Sequence, residues 1–124
     1  MKMVEVKTAD LIGKQLDYAV AVVEGHPLCE ECMYGSDVLI IGTGYGDLEG
    51  FSPSTRWIQC GPLIDKYDVW FNSRDHHERI AAWANTNTPS VKILGCGKSR
   101  LTAACRAIVQ AKLGPMVSVP EEVE

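Results

Sequence analysis

No stretch of this sequence approaches the roughly 20 consecutive apolar residues that a membrane-spanning helix needs. The opening residues, MKMVEVKTAD, have neither the apolar core nor the cleavage site of a secretory signal, so a cytoplasmic location is expected. Basic residues are also scarce. Twelve Lys and Arg stand against 16 Asp and Glu, for a net charge of −4. A general nucleic-acid binder needs a basic face to neutralise phosphates, so no duplex partner is expected. The five cysteines are an odd number, and without a secretion signal they are expected as reduced thiols. Internal repeats and low-complexity segments are absent.

Familiar cofactor motifs are incomplete. In IIGTGYGDLEG the glycines at 42, 44 and 46 lack the G-x-G-x-x-G spacing, and Gly50 and Pro53 follow instead of a helix that could hold a pyrophosphate. Cys29-x-x-Cys32 has the spacing of half a zinc site, but no second pair completes it. The adjacent His76 and His77 fall in a charged turn, where neighbours in sequence point apart. GCGKS precedes a helix without the G-x-x-x-x-G-K-[ST] spacing of a phosphate loop. Neither a metal nor a cofactor is therefore expected.

What is present is one ordinary globular domain, 1–124, with 46% hydrophobic and 23% charged residues. Two helices are predicted. The first covers about 13–24, with Leu16, Val20 and Val23 on one face, Thr8 capping an initial turn and Gly25 closing it. The second covers 99–113, with Ser99 as N-cap, Lys112 in its last turn and Gly114 just beyond. Short strands are predicted near the N-terminus and at 37–42, 56–61, 68–73, 79–85, 91–95 and 116–119. TGYGDLEG reads as turn. Strands running consecutively between two helices imply an α+β fold with a mostly antiparallel sheet.

Charge is uneven along the chain. Residues 1–62 carry four Lys/Arg and nine Asp/Glu, whereas residues 63–124 carry eight and seven. The later half has cation enough for a small anion. Residues 51–62, FSPSTRWIQCGP, concentrate hydrogen-bonding groups: Ser52, Ser54, Thr55, Arg56 and Gln59 surround Trp57. Lys98, Ser99, Arg100 and Arg106 lie at the start of the second helix, where free N–H groups and the positive dipole end favour an anion. Trp57, Trp70 and Trp83 all fall in predicted strands. A partly exposed indole beside hydroxyls and a guanidinium offers a stacking face.

Three segments together resemble the NinX-like proteins of phages and prophages. They are VKTADLIGKQLDYAVAVVEG, FSPSTRWIQCGPLID and SRLTAACRAIVQAKLGPMVSVPEEVE. Cys60 stands where that pattern has the first glycine of Gly-Gly-Pro, and Arg100 where it has proline. The resemblance implies a phage-borne protein acting in the host bacterial cytoplasm, in a setting where small accessory proteins counter host defence. The expected function is non-enzymatic sequestration of a small anionic ligand, a nucleotide or nucleotide-derived immune signal. Ser52, Ser54, Thr55 and Arg56 would donate to phosphate or ribose, Trp57 would stack, and Gln59 would read a base edge. Lys98, Ser99 and Arg106 would complete the site if the two segments meet. A homo-oligomer is expected, since such sites often lie between subunits. Two alternatives stay open. One is a module that inhibits or adapts a host protein, with Glu30, Glu31 and the EEVE tail as acidic contacts. The other is an enzyme acting on the same ligands.

Overall fold

The computed structural model describes residues 3–26, 39–42, 48–71, 80–85 and 92–121. Among them the order is β1 (Met3–Lys7), a 3-10 turn (Thr8–Asp10), α1 (Gly13–Glu24), β2 (Leu39–Gly42), β3 (Leu48–Phe51), α2 (Trp57–Lys66), β4 (Trp70–Phe71), β5 (Ile80–Asn85), β6 (Lys92–Gly97), α3 (Arg100–Leu113) and β7 (Met116–Pro120). Every strand pairing among the described residues is antiparallel, and the fold is α+β as expected.

The long helix α3 sits at the centre. Ser99 starts it: its Oγ accepts the Thr102 N–H at 3.1 Å, filling one of the donors a helix start leaves open. Leu101, Ala103, Ala104, Cys105, Ala107, Ile108 and Val109 are all buried, so α3 is apolar on most of its circumference. It lies on β5 and β6 and packs against α1 and α2. Ile80, Ala82 and Ala84 of β5 are fully buried. Gly95 of β6 lets the sheet come into backbone contact with the small residues Ala103 and Ala107.

The helix α1 turns Leu16 and Val20 into the core, four residues apart as predicted. It ends at Gly25, left-handed at φ 72°. Thr8 differs from its expected role. Lys7 occupies the cap position of the 3-10 turn, while Thr8 reaches across the chain. Its N–H donates to Pro115 O at 2.8 Å and its hydroxyl to Gly114 O at 2.7 Å. Those bonds join the start of the described chain to the end of α3, beside the β1–β7 ribbon in which Val4 faces Val119 and Val6 faces Val117.

Two elements differ from the sequence expectation. Residues 56–61, predicted as a strand, begin α2 instead. Trp57 and Ile58 have high strand propensity, but Cys60 and Leu63, three residues apart, supply a buried helical face. The end of α2 is tied to α1 by Glu24, whose Oε2 accepts from Lys66 Nζ at 2.8 Å and Tyr67 Oη at 2.5 Å. Residues 48–50, the end of the TGYGDLEG stretch read as turn, form β3 together with Phe51, pairing with β2 in the register Leu39–Phe51 and Ile41–Glu49. Leu39, Ile41 and Phe51 are buried there.

Candidate functional site

The Ser52–Gln59 segment divides: Ser52, Pro53 and Ser54 are buried, Thr55, Arg56, Trp57 and Ile58 are exposed, and Gln59 lies between. Ser52 and Ser54 are 4% and 5% exposed. Ser52 O accepts the N–H groups of Thr55 and Arg56, both at 3.0 Å, and the Thr55 hydroxyl at 3.3 Å, which closes the turn leading into α2. Gln59 returns from the first turn of that helix. Its Oε1 accepts the Ser52 N–H at 2.6 Å and its Nε2 donates to Gly50 O at 2.6 Å. Both ends of the amide are therefore engaged with main chain, which corrects its expected role at a base edge. Gln59→Ala strands both backbone groups in a half-buried position. Urea unfolding is expected to show a loss of about 2 kcal/mol; an unchanged midpoint would count against this role.

Ser54 lies against α1. Its N–H donates to Asp17 Oδ1 at 3.0 Å, between groups 37 positions apart. Asp17 is 4% exposed. Burial raises its pKa from 3.8 to about 6, with the Ser54 N–H and hydroxyl pulling the other way. The Ser54 Oγ is itself buried without a well-formed hydrogen bond. Arg56 and Trp57 point outward, and Trp57 is 57% exposed.

The second cluster behaves differently. Lys98, Ser99 and Arg106 line one groove of about 730 Å³, together with Ala9, Asp10, Ile12, residues 95–97, Thr102 and Gln110. That volume falls in the range of roughly 300–1,000 Å³ usual for small-molecule sites. The 3-10 turn and the entry to α1 form one wall, and the β6–α3 turn with one face of α3 forms the other. Lys98 and Arg106 against Asp10 leave one net positive charge beside the N-terminal end of α3. Ser99 acts mainly as the cap, and its hydroxyl also lies 3.1 Å from Thr102 Oγ1. Arg106 is half-buried and clamps two carbonyls: Nε donates to Leu11 O at 2.8 Å and Nη1 to Cys96 O at 2.7 Å. It thus holds both walls together.

Among the described residues, none of Ser52, Ser54, Thr55, Arg56, Trp57 and Gln59 lines this groove. The two segments do meet, but through Cys60 and Cys105 in the core, with their sulfurs 4.0 Å apart. Cys105 and Arg106 are neighbours on α3 and so face about 100° apart around its axis. This groove gathers only the second segment's part of the expected site: Ser52, Ser54, Thr55 and Gln59 make bonds within the fold, whereas Lys98, Ser99 and Arg106 line the groove. Asp10, Thr102 and Gln110 were missed from sequence. For the latter two a signal existed, since positions 99, 102, 106 and 110 form one helical face. Cys29, Cys32, His76 and His77 lie outside the described residues.

Fold and groove define a small α+β protein built round one central helix, with a groove of mixed polar and apolar lining at that helix's N-terminal end. The chain belongs to the bacteriophage P22 NinX family, whose model matches residues 7–112. No curated protein matches it. Among the described residues, no helix is long and apolar enough to cross a membrane.

Proposed function

We propose that the groove at the start of α3 binds a small anionic ligand, a nucleotide or nucleotide-derived immune signal, and sequesters it in the infected cell to counter host defence. The observation that carries this reading is the meeting of Lys98, Arg106 and a capped helix N-terminus in one space of small-molecule size. Membership of a phage family supports the setting. Arg106 serves first as the clamp between Leu11 and Cys96, so Lys98, exposed at the rim, is the cleaner probe of ligand charge.

Thermal unfolding against inorganic phosphate, nucleoside phosphates, cyclic dinucleotides and ADP-ribose tests it. A ligand present at 100 times its Kd is expected to add about 2.7 kcal/mol of stability. Lys98→Ala should weaken binding about tenfold, read against the unliganded variant's own Tm as baseline. If no member of the panel raises Tm, or if Lys98→Ala binds as tightly as wild type, the reading fails. Recovery of the ligand intact after heat release separates sequestration from cleavage.

A second reading is docking on a host protein. It draws on Trp57 and Ile58, 57% and 75% exposed side by side at the start of α2. It predicts that Trp57→Ala removes capture of a host partner while nucleotides leave Tm unchanged.

A further inference from the structure

The core contact between α2 and α3 contains a chemical feature that neither reading above uses. Cys60 and Cys105 are both fully buried, 45 positions apart, with their sulfurs 4.0 Å from each other. A disulfide needs about 2.05 Å, so the sulfurs must approach by roughly 2 Å. We propose that Cys60 and Cys105 form a peroxide-sensitive thiol pair, which oxidation converts to a disulfide fastening α2 to α3.

Three observations bear on this. The first is proximity: each sulfur already has the other as its hydrogen-bonding neighbour. The second is access. Cys60 lies in the first turn of α2, whose cap residue, Arg56, makes no side-chain capping bond. Gly61 and Pro62 follow inside the helix, and both residue types weaken helix interiors. The preceding Trp57 and Ile58 are exposed and bury little. Oxidation requires this turn to open locally, which uncovers the Cys60 sulfur. The third is electronic. The bond with Cys105 lowers the Cys60 pKa, while burial and the charge on Asp17 oppose it. The same bond, burial, the Cys60 charge and Asp17 push Cys105 well up. Either sulfur can donate in the bond between them, so it is the position of Cys60 in the opening turn of α2 that makes it the attacking thiolate and Cys105 the resolving thiol.

The chemistry balances with hydrogen peroxide as oxidant. The Cys60 sulfur attacks one peroxide oxygen, the O–O bond breaks, and the other oxygen leaves as hydroxide and takes a proton to become water. Cys60 is then a sulfenic acid. The Cys105 sulfur gives up its proton, attacks the Cys60 sulfur and expels hydroxide, which takes that proton to form a second water. Two thiols have lost two electrons, and one peroxide has been reduced to two waters.

The test uses the full chain with Cys29→Ser, Cys32→Ser and Cys96→Ser, run beside wild type so that failure of the variant to fold does not decide the matter. Each protein is treated with hydrogen peroxide, quenched with N-ethylmaleimide in denaturant, and mapped as peptides without reduction. A Cys60–Cys105 linked peptide is expected, lighter by two hydrogens, abolished by dithiothreitol and accompanied by a Tm several degrees higher. In a Cys105→Ala variant, dimedone should label Cys60. Recovery of both cysteines as separate maleimide adducts, or oxidation of Cys60 to sulfinic acid with Cys105 still present, overturns the proposal.

Discussion

Replacing Gly95 with alanine is expected to cost about 3 kcal/mol or more and to lower Tm by roughly 12 °C. A Cβ at this position would lie 2.3 Å from Ala107 N, 2.5 Å from Ala103 O and 2.8 Å from Ala107 Cα. All three are backbone atoms of α3, so no side-chain rotation relieves the overlap. The helix must withdraw from β6, and its other faces are already committed to α1 and α2. Withdrawal also opens the groove, because residues 95–97 and Arg106 form its walls. Gly97 provides the control. A Cβ there meets Ala103 N and Thr102 Cγ2, each at 3.1 Å, a contact that a few tenths of an ångström relieve. Gly97→Ala should lose only about 1 kcal/mol. Urea unfolding of the two variants checks the order. Equal losses would mean that β6 and α3 do not approach through Gly95.

The contrast between these two glycines also shows what can be read along a chain. The helices α1 and α3 were legible because their signals are local: Leu16 and Val20 at one-turn spacing, a left-handed Gly25, and the Ser99 cap bonded to Thr102 N–H. The helix α2 was not, because its local signals favour a strand. Trp57 and Ile58 suit a sheet, and Gly61 with Pro62 discourages a helix. Burial of Cys60 and Leu63 against the rest of the molecule overrides them. Likewise β3 contains Gly50, which reads as turn until β2 lies opposite.

The candidate site divides in the same way. The density of hydrogen-bonding groups between Ser52 and Gln59 was visible, but their partners were not. Ser54 N–H meets Asp17, and Gln59 meets the main chain of Ser52 and Gly50. Arg106 looked like an anion ligand from its place near a helix start. Its bonds to Leu11 O, 95 positions away, and Cys96 O exist only once the chain has folded. A polar residue inside a family pattern can serve a ligand or the backbone, and residue type alone does not separate the two. Here each pair of the pattern's three segments is joined by a long-range contact: Asp17 to Ser54, Arg106 to Leu11, and Cys60 to Cys105.

Asp17 makes the division measurable, because its contact carries an electrostatic cost that depends on pH. Its folded pKa of about 6 lies above the ordinary 3.8, with burial as the cause. Below pH 3.8 the group is protonated in folded and unfolded chains alike and imposes no penalty. As pH rises from about 3.8 to about 6, the unfolded chain releases its proton while the folded chain keeps it, so stability falls. Above about pH 6 both are ionised, and the penalty stays near 3 kcal/mol. Asp17→Asn removes the charge and keeps an oxygen to accept the Ser54 N–H. The variant is therefore expected to match wild type near pH 4 and to exceed it by about 2–3 kcal/mol at pH 7. Urea unfolding of both proteins between pH 4 and 8 isolates the effect, since every other titrating group cancels in the difference. Parallel curves would rule out an ionised, buried Asp17. Asp17→Ala should gain less than Asp17→Asn above pH 6 and fall below wild type near pH 4, because it relieves the charge but leaves the Ser54 N–H buried without an acceptor, at a cost of about 1–3 kcal/mol. The pair of variants separates the two consequences of one contact: the charge destabilises the folded chain, and the hydrogen bond holds the Ser52–Arg56 turn against α1.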